Sequence, residues 1–533
     1  MLANLILWIL TVLMLAFPLS ARAQDGPLGI THQQFIAAWA RGDLQADANG
    51  DGSVSVVDLT AYILMLEKCP DCPECPDCPD DPNEPEPPTP PEPPSVDLDW
   101  WPGPDALDLR VSDAQALADA AGRLNGVGGF LTLETQSVVA PFAELMSTGG
   151  ALHGMAPTFD EDGVKTSAGR RVVVRVATGV VIDKPMKNVK GQWRDLAFDS
   201  VPWTPARHIN EIAISIHGDH DRLLLLNCDF DHWKQVMEAQ DSGVNPDGTF
   251  IEPDYVDFIG GSHTNIYNSG SVPVTASNHP DSGKRSQGVW WQGSNWRFLG
   301  VRAVGIGWDM EGDPNRAKCD KFSQWLYGSQ NARGVIIEGC YVDGVSNNAI
   351  VMKGTDIVVR DCDFDRVVNA VSFGTNQNPK WPCSGTVDGM RIHRLIPLGP
   401  KDDPSLSESE RVPMDSGVAL SFNNFGSVTV RDVRFIGPNT GTRNAFLFIN
   451  NGHATNVESR SLLVQDCDTG SLALAEIRKF RLPDSGLSVR VRDTVTIDPR
   501  VLVRAVKDPS GADTNAARVL RSFVIDGQLA TSR

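Results

Sequence analysis

Beyond residue 23 the chain has no apolar run long enough to cross a bilayer, and positive charge is scarce, with a formal net charge of −20 over 533 residues. The first absence leaves a single hydrophobic segment to account for. The second excludes nucleic acid as a partner, because phosphates need a basic surface. No Lys or Arg precedes the apolar run Leu5 to Leu19, so the usual basic start of an export signal is missing. The run nevertheless ends in Ala21, Arg22, Ala23, a small-x-small cleavage pattern. Residues 1–23 therefore read as a signal peptide, with the mature chain starting at Gln24. An uncleaved anchor is the alternative, although the run falls short of the ~20 residues a span needs. The expected location is secreted or cell surface, where cysteines meet an oxidising compartment.

Residues 24–68 read as a small helical module around DANGDGSVSVVD, residues 47–58. Asp47, Asn49 and Asp51 supply oxygens at loop positions 1, 3 and 5, Gly52 allows the sharp turn, and Asp58 closes at position 12. Ser53 would offer its carbonyl, and Ser55 its side chain directly or through water. That spacing suits a hard cation, so Ca2+ is the expected cofactor. Thr31 with Gln34 forms a capping box ahead of Phe35, Ala38 and Trp39, and Leu59 to Leu66 continues as a second helix. The closing Asp followed by LTAYIL resembles the calcium-binding repeat of dockerin modules over residues 31–67. That resemblance implies a cohesin-like partner; dockerins carry two such repeats, and this chain has one convincing copy. GVNPDGTFIEPD at 243–254 matches the loop in part and reads as a loop insertion.

Residues 69–99 form a linker. Twelve prolines fall among the 26 residues from Cys69 to Pro94, which sets a polyproline II rod of about 3.1 Å per residue. Three residues per turn place Cys69, Cys72, Cys75 and Cys78 along one edge, with neighbours about 9 Å apart. A disulfide needs Cα atoms within about 7 Å, and a zinc site needs four converging thiolates. Interchain disulfides in a homo-oligomer are therefore expected, with zinc and mixed pairing as alternatives.

After Trp100 a nine-residue phrase recurs. LLLLNCDFD (223–231), VIIEGCYVD (335–343), IVVRDCDFD (357–365), VTVRDVRFI (428–436) and LLVQDCDTG (462–470) superpose without gaps, while WRFLGVRAV (296–304) and MRIHRLIPL (390–398) fit more loosely. Apolar residues stand at the first and third places and, in most copies, at the sixth and eighth. Alternation holds within each half and breaks between them, so the chain must bend. The fifth place, just before the break, is Asn227, Gly300, Gly339, Asp361, Asp432 or Asp466, residue types that tolerate a left-handed backbone. One gap of 73 residues, between the phrases at 223 and 296, must hide additional coils.

Short strands, a bend and a period in the low twenties predict an all-β fold, a right-handed parallel β-helix over residues 100–505. VSDAQALADAAGRLNGVGGFLTLET (111–135) reads as an amphipathic helix, a Gly turn and a first strand that cap the open end. Residues 506–533 form a C-terminal cap or tail. The arrangement resembles the pectate-lyase-like superfamily. Cys228, Cys340, Cys362 and Cys467 share the sixth place and read as buried thiols, whereas Cys319 and Cys383 fall in expected loops, where a disulfide between them is an open alternative.

The outward places supply candidate chemistry. Asp343, Asp363 and Asp365 come from neighbouring coils; such carboxylates can hold calcium against a uronate or act as the acid and base of a hydrolase. Glu338, Arg360, His393 and Arg431 share the fourth place, where a lyase base would be sought. A solvated ladder of alternating charge is the alternative. Lys284, Arg285, Trp290 and Trp291 suit contact with acidic groups and stacking on sugar rings, although alternation turns one tryptophan inward. HGDHD at 217–221 has ligand types with weak spacing. The pectate-lyase RxPxxR stretch is missing, since RLPDSG at 481–486 has Gly in place of the second Arg, and so is the polygalacturonase set NTD, GHG and RIK. Three functions follow: an exported calcium-binding β-helix protein that binds or acts on polysaccharide, as lyase or hydrolase; a non-catalytic adhesion protein oligomerised through the linker; or an assembly component whose EF-hand docks to a partner. The residues leave catalysis open.

Overall fold

Two sheets of parallel strands carry almost all of the regular structure. The computed structural model describes residues 101–147, 152–188, 193–218, 222–268, 286–307, 323–329, 331–374, 383–396, 417–423, 425–439, 444–450, 460–478, 487–504 and 520–529. The chain divides into two units, Met1–Thr89 and Pro90–Arg533, and every described residue belongs to the second. The signal segment, the calcium loop from Asp47 to Asp58, the linker cysteines, Lys284, Arg285, Cys319 and the RLPDSG stretch lie outside the described residues.

The first sheet has 15 strands whose spatial order follows the sequence. A parallel neighbour needs a crossover rather than a hairpin, and here the strands of a 17-stranded second sheet supply it. Tyr341–Met352 and Asp363–Phe373 run through two segments of that sheet, so the second sheet covers two faces and the first sheet one. The chain thus winds coil upon coil, about 4.8 Å per coil, an all-β arrangement with long parallel sheets consistent with a parallel β-helix.

Register fixes the coils. Leu224 pairs with Asp257, Asp257 with Arg297, Ile336 with Val358, Val358 with Thr386 and Thr429 with Leu463. One coil fills the 73-residue gap: Val256–Ile259, continued through Gly260 and Gly261, where the sixth-place apolar residue that would have revealed it is absent. The phrase expected at 390–398 is misplaced by five residues. Its true frame is 385–393, because Val359 pairs with Val387 and Phe364 with Ile392. Gly385 occupies the apolar first place, and a Cβ there would come within 2.4 Å of the Ile357 carbonyl oxygen, so the signature was hidden by a steric requirement. His393 consequently leaves the fourth place for the ninth, and Asp388 stands between Arg360 and Arg431.

The fifth place bends as expected. Asn227, Asp361, Asp432 and Asp466 have φ between 46° and 54°, and Gly300 and Gly339 have φ of 63° and 61°. Ser200, Gly260, Gly389 and Asp493 do the same in coils that the phrase did not reveal. For residues with a Cβ this conformation costs about 1–2 kcal/mol, least for Asn and Asp. Asp361→Val should therefore destabilise by about 1–2 kcal/mol while Asp361→Gly stays within about 0.5 kcal/mol. Urea unfolding of both variants checks this; equal losses would remove the bend as the reason for the residue type.

The sixth-place thiols have a structural task. Cys228 points its Sγ at the third-place carbonyl of Phe198 (3.4 Å), Cys340 at that of Phe298 (3.4 Å), Cys362 at that of Ile337 (3.8 Å) and Cys467 at that of Val430 (4.0 Å). Each weak donor covers a carbonyl of the preceding coil at the bend. Cys383, expected in a loop, opens the strand Cys383–Asp388 and is a buried free thiol directed at the Met352 carbonyl, 3.2 Å away. Burial pushes the Cys228 and Cys383 thiols up to about 12, so neither forms a thiolate at neutral pH. Ellman's reagent should label none of the five until the protein is unfolded; fast labelling of any in the native state would contradict this.

The N-terminal end forms as read. Asp113 caps the helix Ala114–Leu124 by accepting from the Ala116 amide at 2.9 Å. Leu117, Ala120, Ala121 and Leu124 face the core, and Gly129–Leu133 follows as a strand. A strand Asp108–Val111 precedes the helix and begins the sheet. At the other end the sheet continues past residue 505, with Phe523–Ile525 adding a parallel strand and Gln528–Leu529 turning back antiparallel.

The core is thickest in aromatic residues near its middle. Phe298 stacks on Phe258 with centroids 5.1 Å apart and touches Trp291 (5.3 Å), Trp296 (6.3 Å) and Trp325 (6.3 Å). His263 lies in the same interior, accepts from Trp325 Nε1 at 3.1 Å, and is pushed down to about 3 by burial, so it remains neutral.

Candidate functional site

The charged ladder is built by register. Tyr341 lies beside Asp363, Asp343 beside Asp365, and Asp363 beside Arg391, so the carboxylates expected to be neighbours are neighbours. Arginines occupy them. Arg366 grips Asp343 with Nε and Nη2, the Nε contact being 2.5 Å. Arg394 grips Asp365 in the same bidentate way, with Nε at 2.6 Å. On the first sheet Arg360 reaches Glu338 at 2.6 Å, and Arg431 forks onto Asp388 with Nε at 3.0 Å. Only Asp363 has a lighter partner, His393 Nε2 at 3.2 Å.

These pairs fix protonation. The hydrogen bond from Arg394 holds the Asp365 carboxyl below its usual range, and that from Arg431 does so for Asp388. Glu338 and Asp343 in turn raise Arg360 and Arg366. A general acid must keep a proton near working pH, and a lyase base must give one up. Asp365 and Arg360 are driven away from both roles. The ladder is a paired charge array whose ion pairs are screened by solvent. Among the described residues no group of three or more His, Cys, Asp or Glu converges on a metal position.

A second row in register runs along the other strands of the second sheet, partly exposed at Glu238, Trp290 and Tyr327 and buried at Ser215, Val351 and Ser372. Ser215 pairs with Glu238, Glu238 with Trp290, Trp290 with Tyr327, Tyr327 with Val351 and Val351 with Ser372. Trp290 and Tyr327 are partly exposed and sit side by side on adjacent coils. Glu238 flanks them on one side and accepts from Gln240 Nε2 at 2.5 Å. On the other side Lys353 Nζ lies 4.5 Å above the Tyr327 ring, a cation–π contact that fixes the phenol's face. Alternation sends Trp291 the other way. It is fully buried and stacked on Trp296 at 5.3 Å, beyond the reach of a ligand.

The insertion at 241–254 follows the strand Trp233–Gln240. It folds back on itself through Ser242 N to Ile251 O (2.9 Å) and Asn245 N to Thr249 O (2.7 Å). It is tied to the next coil where Gln292 Oε1 accepts from Asp241 N (2.8 Å), Asp254 Oδ1 from Ser294 N (2.5 Å) and Pro253 O from Trp296 Nε1 (2.9 Å). These ties hold Glu252 near Asn331 and Arg333, one coil further on. Burial, then the nearby Asp254, push the Glu252 carboxyl up to about 7.

Sequence reasoning missed Glu238, Tyr327, Lys353, Glu252 and Asn331. They lie outside the repeated phrase: Glu238 and Tyr327 are on strands that carry no shared motif and are joined only by register, and Lys353, Glu252 and Asn331 lie in the connections between strands. No protein-family model matches the chain, and no curated protein and no solved structure matches it.

Proposed function

We propose that the chain is an exported right-handed parallel β-helix protein of the pectate-lyase-like kind that binds polysaccharide along the row containing Trp290 and Tyr327. The observation that carries this is their pairing in register, which sets two partly exposed rings on coils about 4.8 Å apart. The C–H faces of successive pyranose rings lie against such rings, while Glu238, Gln240 and Lys353 offer hydrogen bonds at the edges. Glu238, Trp290 and Tyr327 are partly exposed on three successive coils, a length that suits a short stretch of a glycan chain. The arginine-locked carboxylates favour binding over catalysis at the ladder. Calcium in the Asp47–Asp58 loop and interchain bonds at Cys69 to Cys78 belong to the same reading, as a module and a hinge that present the binding face.

Affinity electrophoresis of the whole protein through gels holding neutral or uronate polysaccharides tests the reading. Retardation is expected in at least one gel and is weakened by Trp290→Ala. Equal mobility in every gel would defeat it.

A further inference from the structure

Two of the five described cysteines meet. The register that sets Tyr341 beside Asp363 also sets Cys340 beside Cys362, and the Asp363 amide donates to the Cys340 carbonyl at 2.9 Å. Both thiols therefore stand at the inward sixth place of adjacent coils, at 2 % and 1 % exposure. The other three have different neighbours: Cys228 lies between Val201 and Gly261, Cys467 between Val433 and Thr494, and Cys383 beside Phe425. Equivalent Cα atoms of adjacent coils are about 4.8 Å apart, inside the roughly 4.4–6.8 Å that a disulfide spans. Burial first, and then the neighbouring Cys340 thiol, push the Cys362 thiol well above its usual value, so the two side chains already act on each other.

We propose that Cys340 and Cys362 close a disulfide when the chain folds in an oxidising environment, a staple between the two coils that carry Asp343 and Asp365. The oxidant is a second disulfide, on a small molecule or an oxidoreductase. One cysteine thiolate attacks a donor sulfur, which forms a mixed disulfide and releases a donor thiolate. The other cysteine thiolate then attacks the mixed disulfide at the first cysteine's sulfur, which forms the Sγ–Sγ bond and releases the second donor thiolate. The two cysteine protons end on the donor, now two thiols, and the pair has lost two electrons.

The native interior bars this exchange, because a thiol buried among apolar residues does not ionise readily and no donor reaches it. The bond therefore forms in the folding chain, where the segment Tyr341 to Asp361 is a short loop that closes easily. The weak S–H bonds that both thiols make to carbonyl oxygens are given up in exchange. Locking the two coils holds their register, and with it Arg366 on Asp343.

Refolding the full chain in a mixture of oxidised and reduced glutathione tests this, followed by alkylation of the unfolded protein without reduction and digestion with trypsin. Peptides 334–353 and 361–366 should appear joined, lighter than their sum by two hydrogens, while the peptides of Cys228, Cys383 and Cys467 carry alkyl groups. Dithiothreitol should lower the urea midpoint of the refolded wild type and leave that of the Cys340→Ala, Cys362→Ala double variant where it was. Alkylation of Cys340 and Cys362 in refolded protein with native circular dichroism would overturn the staple, and so would a bond from either one to a different cysteine. An equal fall in both midpoints would overturn it as well. If the double variant fails to fold, the wild-type peptide map still decides. Glutathione supplies the oxidant, so the result depends neither on export nor on polysaccharide binding.

Discussion

Phe298→Ala should destabilise the protein by about 3–5 kcal/mol, the largest loss expected from a single core truncation here. The ring is fully buried and is surrounded by Phe258, Trp291, Trp296 and Trp325 at 5.1 to 6.3 Å. Those neighbours are themselves bulky and lie on or directly beside strands locked by register on both sides, so they cannot close the space left behind. Part of the loss is transfer free energy and part is the cavity. Phe298→Leu keeps most of the volume and should lose less than half as much. Denaturant unfolding followed by intrinsic tryptophan fluorescence reads both values directly, since three of the four neighbours are tryptophans. A loss below about 1 kcal/mol for the alanine variant would mean that the stacked coils relax far more than close packing allows.

Trp290→Ala should weaken polysaccharide binding about thirtyfold with little change in stability. The residue is on the surface row, partly exposed, and its removal opens no core cavity. Trp291→Ala provides the contrast, because that side chain is at 0 % exposure and holds the stack with Trp296. It should behave like Phe298→Ala in unfolding. Adjacent tryptophans in one short strand thus separate binding from packing, and Tyr327→Ala should follow Trp290 with a smaller loss. If both tryptophan variants lost stability alike and neither lost binding, the surface row would have no role in recognition.

How much of this was legible in the chain depended on where the constraints fall. The bend was readable because Asn, Asp and Gly recur at one place, and a left-handed backbone leaves few other choices. The sixth-place cysteines were readable because an apolar residue after the bend must turn inward. The coil at 256–264 was hidden because Gly261 replaces that residue, and a Cβ there would come within 2.3 Å of the Cys228 carbonyl oxygen. The frame at 385–393 was hidden for the same kind of reason at Gly385. The carboxylate neighbours Asp343 and Asp365 were legible from a 22-residue spacing, but their partners Arg366 and Arg394 were not. Arg366 stands in the tenth place with φ of 49°, just past the phrase, and there an arginine reaches back to the preceding coil. The aromatic row escaped because Trp290 and Tyr327 are 37 residues apart in a chain whose coil length varies with its insertions. Glu252 sits in one of those insertions, where periodicity carries no information at all.

The most direct test of the account is titration of the full-length protein with soluble neutral and uronate oligosaccharides, wild type against the Trp290→Ala, Tyr327→Ala double variant, with circular dichroism to confirm folding. The account predicts saturable binding of at least one of them by the wild type and a loss of at least a hundredfold in the folded double variant. Equal binding by both proteins, or no binding of any polysaccharide by the wild type, would contradict it.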